Sequence, residues 1–277
     1  MFGKLFNGTQ EVFVSDDRPA NNLLRTLREA DYALIAPRLE LGQSEANELL
    51  YNPGDNVGTV YFPCGPSLVS LLVSNEDGRD VETILIGREG AVGGIVSLGH
   101  LPAYCRIIVK NGGKFVRLPV DHLEAAKSKS ITLHHLFARY ADCLLAQMFQ
   151  ATACNAIHSI EQRAAKWIIA AMERTGGQVV PLTQEQLARM LGVGRSYTSR
   201  VMQTFKAENI LEIRRGSLLI RDFEALRARA CLCDENVKRH FEEVLRGVYP
   251  GEGTDEQRRG KPKKLRPDSP RKSRGYV

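Results

Sequence analysis

PLTQEQLARML (181–191), GVG (192–194), RSYTSRVMQTFKAE (195–208) and NILEIRRGSLLIR (209–221) form one continuous stretch that reads as four elements in a row. Thr183 followed by Gln186 is the signature of a capping box, so a helix is expected over Gln184–Leu191, facing inward through Leu187 and Leu191. Ala188 is small where a second helix must cross closely. Gly192 permits the positive φ of a tight turn, and Val193 plugs the space beneath it. The second helix, about Arg195–Glu208, repeats Thr198, Val201 and Phe205 at three- and four-residue spacing and should bury them. Ile210–Arg214 and Ser217–Ile220 then read as two strands closed by Arg215-Gly216, and Asp222 caps a further helix. Leu187, Ala188, Leu191, Gly192, Val193, Thr198 and Val201 fill the seven positions at which a winged helix-turn-helix needs those residue types.

The face of the second helix opposite its buried stripe carries Arg195, Ser196, Ser199, Arg200 and Gln203 and no acid. A short, donor-rich helix of this kind suits insertion into the major groove of duplex DNA. Arg195 and Arg200 each offer a bidentate fork to guanine O6 and N7, worth about 1–3 kcal/mol of discrimination per good pair. Ser196, Ser199 and Gln203 are candidates for neighbouring base edges. Thr183, Gln184, Tyr197, Arg214 and Arg215 are better placed for phosphates, which position a protein without reading sequence.

Working outward, Ser159 and Gln162 form a second capping box that starts a helix through Ala171, so 159–235 reads as one DNA-binding domain with a hinge at Asn155–Ser159. Before it, Leu133, Leu136, Phe137, Tyr140, Leu144, Met148 and Ala151 keep a helical period over about 25 residues. A stripe that long suggests a dimerisation helix over 126–158 with a coiled-coil-like seam, the alternative being an ordinary core helix. From Leu49 to Val120 the texture is that of short strands, at Thr59–Cys64, Ser67–Val73, Val81–Gly87, Ala91–Leu98, Tyr104–Lys110 and Lys114–Leu118, separated by Gly, Pro and Asn turns. That spacing predicts an antiparallel β-roll over 21–125, opened by a short amphipathic helix from Asn21 to about Leu34. Residues 1–20 read as a polar leader. The fold class is therefore α+β: roll, long helix, winged helix-turn-helix.

Charge follows the same division. The chain of 277 residues has 38 Lys+Arg against 32 Asp+Glu, net +6. Residues 1–159 are net −3, residues 160–250 net +4, and residues 251–277 net +5. The last segment is rich in Gly, Pro, Lys and Arg and has too few apolar residues to offset its ordering entropy, so it reads as a basic disordered tail. The partner inference thus rests on 181–221, with 7 Lys+Arg against 3 Asp+Glu, rather than on the total. No run approaches a membrane span and no secretory signal opens the chain, so no membrane partner and a cytoplasmic location are expected.

The six cysteines are scattered rather than arranged as a disulfide framework. Cys231-Leu-Cys233 is closer than the usual two-residue metal knuckle, and on a helix those two side chains would diverge. No histidine pair has zinc-motif spacing, and neither a phosphate-binding lysine loop nor a Gly-x-Ser-x-Gly elbow is present. The reading is a non-enzyme with no catalytic residues, no metal and no cofactor. The alternative is a β-roll small-molecule enzyme, or a protein-interaction scaffold, with a helical dimerisation appendage.

The order of roll, long helix and winged helix-turn-helix resembles the Crp/Fnr family of bacterial transcription regulators. The likeness is closest in LTQEQLARMLGV (182–193), YNPGD (51–55), VYFP (60–63) and IGREG (86–90). It implies a homodimer on a two-fold DNA operator, with a cyclic-nucleotide-binding-like roll as sensor, and RNA polymerase as a further candidate partner. Members that bind cyclic nucleotide carry Gly-Glu for the ribose and Arg-Ser/Thr-Ala for the phosphate. Here Ile95 follows Gly94, and Arg106 is followed by isoleucines. The effector is therefore unknown, and a cyclic nucleotide is disfavoured.

Overall fold

The computed structural model describes residues 18–249 apart from 77, 79, 97–100 and 247. The basic tail lies outside the described residues, as does most of the polar leader. Asn21 caps the first helix, α1 (Asn22–Thr26), by accepting from the Leu24 amide, and its buried amide also donates to the carbonyls of Pro63 and Gly90. The chain turns at Leu27 and Arg28 into α2 (Glu29–Ile35), so the single helix expected here is two short ones.

Seven strands follow: β1 (Glu40–Ser44), β2 (Leu49–Tyr51), β3 (Thr59–Pro63), β4 (Leu68–Ser74), β5 (Asp80–Ile86), β6 (Arg106–Asn111) and β7 (Gly113–Pro119). They pair antiparallel into two sheets, ordered β1-β7-β3 and β2-β6-β4-β5. Side chains alternate across each strand, so Val60 and Phe62 of β3, with Val116 and Leu118 of β7, bury on one side. Two expectations need correction. β1 and β2 precede the expected runs, which begin at Thr59, because β1 has no apolar alternation and β2 is only three residues long. Of the segment expected as a strand at Ala91–Leu98, the described residues 91–96 make an isolated bridge, Val92 to Tyr61, before the chain bends, and 97–98 lie outside the described residues. Its two glycines explain this: Gly93 has φ +113, and a Cβ there would meet the Thr59 carbonyl oxygen at 2.3 Å.

The helical region begins with α3 (Val120–Lys129) and continues, after a break, as α4 (Ile131–Ile157). Ser130 makes the break. Its backbone is extended, its hydroxyl accepts from the Leu133 amide to cap α4, and the same hydroxyl donates to Asp31 at 2.5 Å. The long helix therefore starts at Ile131 rather than near 126.

The apolar stripe of α4 is not a free seam. Leu133, Leu136, Phe137 and Tyr140 are fully buried within the protomer, in one core with Leu23, Leu24, Phe62, Val116 and Leu123. Leu144 packs on that core, Ala151 is half-buried, and of the seven seam candidates Met148 alone is exposed. What covers the stripe is the roll on one side and a C-terminal helix, α9 (Cys233–Arg246), on the other. Phe241 and Leu245 of α9 pack on the stripe, with Phe241 edge-on to Tyr140 at 6.3 Å. After α9, Val248 enters the core and the Tyr249 hydroxyl donates to Asp31. The C-terminal return was not anticipated.

Between α4 and α9 lies a second core. Its elements are α5 (Ile160–Thr175), β8 (Val179–Val180), α6 (Gln184–Leu191), α7 (Arg195–Ala207), β9 (Leu211–Arg214), β10 (Ser217–Ile220) and α8 (Phe223–Arg229), with β8, β10 and β9 forming one sheet. Leu68 and Leu85 of the roll lie in the same apolar cluster as Leu187, Leu191, Met202 and Phe205. The second domain therefore docks on the outer side of β4 and β5. Among the described residues, no helix is long and apolar enough to cross a membrane.

Candidate nucleic-acid interface

Local sequence builds this site almost unaided. Thr183 accepts from the Gln186 amide at 3.1 Å while the Gln186 side chain accepts from the Thr183 amide at 2.8 Å, closing the expected capping box on α6. Such a cap contributes about 1 kcal/mol. Gly192 ends α6 with φ +67, the left-handed region that glycine enters without steric cost, and turns the chain into α7 after two further residues. Arg163 of α5 is buried and donates to the Leu191 carbonyl at 2.7 Å, a cation placed at the negative end of α6. That brace was missed, because 28 residues separate it from the turn it supports.

Helix α7 is held by Thr198, Met202 and Phe205, all fully buried. Val201, expected in that row, is only partly covered, and Met202 takes the central place. The slip is small: positions 201 and 202 flank the same helical face. The outward row is as expected, with Arg195, Ser196, Ser199, Arg200 and Gln203 together lining one shallow open depression. Among the described residues, neither Arg195 nor Arg200 has a carboxylate within ion-pair distance. Arg200 instead lies over the Tyr197 ring, 5.1 Å from its centre, which holds both side chains at the start of the helix. The row thus carries two uncompensated guanidinium groups and three neutral hydrogen-bonding groups.

The candidate phosphate ligands divide into two groups. Thr183 and Gln184 stand at the start of α6, half-buried, and Tyr197 is 47% exposed. Arg214 and Arg215 lie at the tip of the wing, where Gly216 turns the chain with φ +78. Arg215 is exposed and has no ion pair among the described residues, whereas Arg214 is engaged by Glu212 at 2.9 Å, which Arg221 also engages. Hydrogen bonds from these two arginines hold the exposed Glu212 carboxyl below its ordinary range. The wing therefore carries an acid beside one of its basic residues; Glu212 engages the Nε of Arg214, and the terminal nitrogens of that guanidinium have no partner among the described residues.

Two features outside the helix-turn-helix were not anticipated. One joins the domains: Glu89, in the turn after β5, accepts from Arg174 of α5 at 2.7 Å, and Arg174 also faces Asp234 at 3.8 Å. Lys238 bridges Asp234, at 2.8 Å, and Glu173. Gly90 permits this turn to approach α4, since a Cβ there would sit 2.2 Å from the Tyr140 hydroxyl, which is hydrogen-bonded to both the amide and the carbonyl of Ala91. The signal lay in IGREG (86–90), quoted above for its family likeness, but its partners lie far along the chain. The other is a cluster of three cysteines and a histidine, Cys154, His158, Cys231 and Cys233. Cys231 precedes α9 and Cys233 opens it, so the divergence expected of two residues on one helix does not arise.

On the sensor side, Ile95 is buried in the roll core at the position where a ribose-binding carboxylate would follow Gly94. Arg106 is paired with Asp80 at 2.7 Å.

Comparison with known proteins agrees with this geometry. The sequence model of the Crp-like helix-turn-helix domain matches residues 162–229. No curated protein matches the sequence. Among solved structures, FixK2 from Bradyrhizobium japonicum is similar with a TM-score of 0.61 at 13% identity, over 70% of this chain and 98% of that one. The c-di-GMP-responsive global regulator CLP from Xanthomonas campestris gives 0.56 at 16% identity, over 70% and 99%. A transcriptional regulator of the Crp/Fnr family from Eubacterium rectale gives 0.57 at 16% identity, over 78% and 97%. At these identities the structural likeness establishes the fold, and the matched domain establishes the kind of helix-turn-helix it carries. Residues 162–229 thus form a Crp-like helix-turn-helix domain, within a chain whose fold is similar to that of Crp/Fnr family regulators.

Proposed function

We propose that the protein acts as a homodimer on a two-fold symmetric operator, reading bases with Arg195, Ser196, Ser199, Arg200 and Gln203 of α7. The carrying observation is the acid-free outward face of α7, with its two unpaired arginines, inside a Crp-like helix-turn-helix domain. Thr183, Gln184, Tyr197, Arg214 and Arg215 then serve as phosphate ligands on either side of the groove. Two copies would set their recognition helices about one helical turn of DNA apart.

The exposed face of α4 supports the dimer. Leu145, Phe149, Thr152 and Ala156 recur at four-, three- and four-residue steps, all exposed, with Met148 beside them. That is the spacing of a coiled-coil seam, and its occupant is a second copy of the same helix. The seam is thus displaced around α4 from the stripe that packs in the protomer's own core.

The roll supports an effector other than a cyclic nucleotide, because a phosphate there would find Arg106 already held by Asp80 and the ribose would meet Ile95. Any effector must bind one arrangement of the domains better than another. A non-enzymatic role in the cytoplasm follows from the regulator reading, and RNA polymerase is the partner it would need for activation.

Selection of bound duplexes from a random pool, followed by titration at several salt concentrations, tests the proposal. A symmetric motif and a steep salt dependence are expected. Arg195→Ala and Arg200→Ala should each relax preference at a particular base pair by about 1–3 kcal/mol while leaving the fold intact. Wild-type preference in both variants would show that α7 does not read the bases.

A further inference from the structure

The last turn of α4 and the link between α8 and α9 meet at a buried knot of sulfur. Cys154 and His158 stand four residues apart at the end of α4, one turn of helix, so both project to the same side. Cys231 and Cys233 arrive from the other side. The three sulfurs and one imidazole nitrogen all lie within 4.8 Å of one another. Cys154 Sγ and Cys231 Sγ are 3.6 Å apart, and Cys233 Sγ and His158 Nδ1 are 3.5 Å apart. A tetrahedral zinc ion, with bonds of about 2.3 Å to sulfur and about 2.0–2.1 Å to nitrogen, holds its ligand atoms about 3.5–3.8 Å from each other. The four donors therefore stand close to where a single ion needs them. An iron–sulfur cluster interposes several metal and sulfide atoms and requires a wider frame.

The surroundings match the charge such a site would carry. Three thiolates, a neutral imidazole and a divalent ion sum to one negative charge. Lys166 of α5 is buried and directs its ammonium group to Cys154 Sγ at 3.5 Å. Among the described residues it has no carboxylate within ion-pair distance, though its charge reaches Asp234, and its ammonium group lies 4.5 Å from the centre of the Trp167 ring. Gln150 adds an amide donor to Cys233 Sγ at 3.2 Å. A buried cation and an N–H donor aimed at sulfur are the outer partners that orient and neutralise a thiolate site. The three cysteines are buried, and half-buried His158 leaves one open side for entry.

We infer that Cys154, His158, Cys231 and Cys233 bind one zinc ion, or another thiophilic divalent ion of the same geometry, as a closed structural site. With four protein ligands no position remains for substrate, so the ion acts as a clamp. It ties the end of α4 to the start of α9, across the segment where the chain enters the DNA-binding domain. This assignment is independent of the operator and of the dimer.

The test is metal analysis of the full chain purified under reducing conditions, followed by exchange into cobalt. One equivalent of zinc per chain is expected, and cobalt should give the visible spectrum of a tetrahedral thiolate site. His158→Ala and Cys233→Ser should weaken binding at least about tenfold in competition with a coloured chelator. Cys105→Ser, outside the cluster, should match the wild type. The cobalt spectrum of the wild type needs no variant to fold. Its absence from reduced, folded protein overturns the assignment. So does iron with acid-labile sulfide, or a Cys154–Cys231 disulfide in zinc-free protein isolated without reductant.

Discussion

At the scale of single residues, the most consequential side chains lie where distant parts of the chain meet. Glu89 is one. Burial alone would raise its carboxyl above the ordinary value of 4.5, but the Arg174 charge and the hydrogen bonds from Arg174 and the Gly87 amide win, and it is held below that value. A carboxyl with a lowered folded-state pKa stabilises the protein above its unfolded-state value, and that contribution is lost as pH falls through the folded-state one. Glu89→Gln should therefore flatten the acid limb of stability, measured by urea unfolding from about pH 6 to about pH 3, with the difference from wild type shrinking toward the acid end. An unchanged acid limb would mean that the pair contributes nothing. Nothing about Glu89 in the sequence announced this. Gly87 and Gly90 flank the turn that holds it, and its partner Arg174 is 85 residues away.

At the scale of elements, the helix-turn-helix was legible and the long helix only half so. Caps, a left-handed glycine and short-range apolar spacing are local signals, and α6 came out at its expected bounds, Gln184–Leu191. Helix α4 was recognised by its period, yet period reports that a face is covered and not by what. Leu133, Leu136, Phe137 and Tyr140 are covered from within the same chain. The two faces of α4 should therefore respond differently to substitution. Phe149→Glu, at a position 71% exposed, should leave the protomer folded but produce monomers in sedimentation and weaken duplex binding. Leu136→Ala, by contrast, should cost about 2–5 kcal/mol of stability. A dimeric Phe149→Glu variant would exclude this face as the seam.

At the scale of the whole molecule, the roll and the DNA-binding domain are joined by apolar contact and by a charged knot. Leu68 and Leu85 enter the second core, and Arg174 stands between Glu89 of the roll and Asp234 of α9. Burial pushes the Asp234 carboxyl up, while Arg174 and Lys166 pull it down without overcoming that effect. Removing the shared cation strands Glu89 without its partner, and Arg174→Ala should cost about 3–5 kcal/mol. The loss should be smaller in a Glu89→Gln background, which a double-mutant cycle in urea unfolding would measure. Additive losses would mean that the two residues do not couple the domains.

The order of roll, long helix and winged helix-turn-helix, and the residues on the outward face of α7, were legible in the amino-acid sequence. Each of those is written in capping, glycine placement and periodicity, which act over a few residues. Folding in three dimensions set which face of α4 is buried inside the protomer, the return of α9 along it, and the meeting of Cys154 and His158 with Cys231 and Cys233. These depend on contacts between segments far apart in the chain, 105 residues between Arg139 and the Val244 carbonyl and 218 between Tyr249 and Asp31. Spacing along the chain carries no record of which distant surface fills a given face; close packing in three dimensions makes that choice.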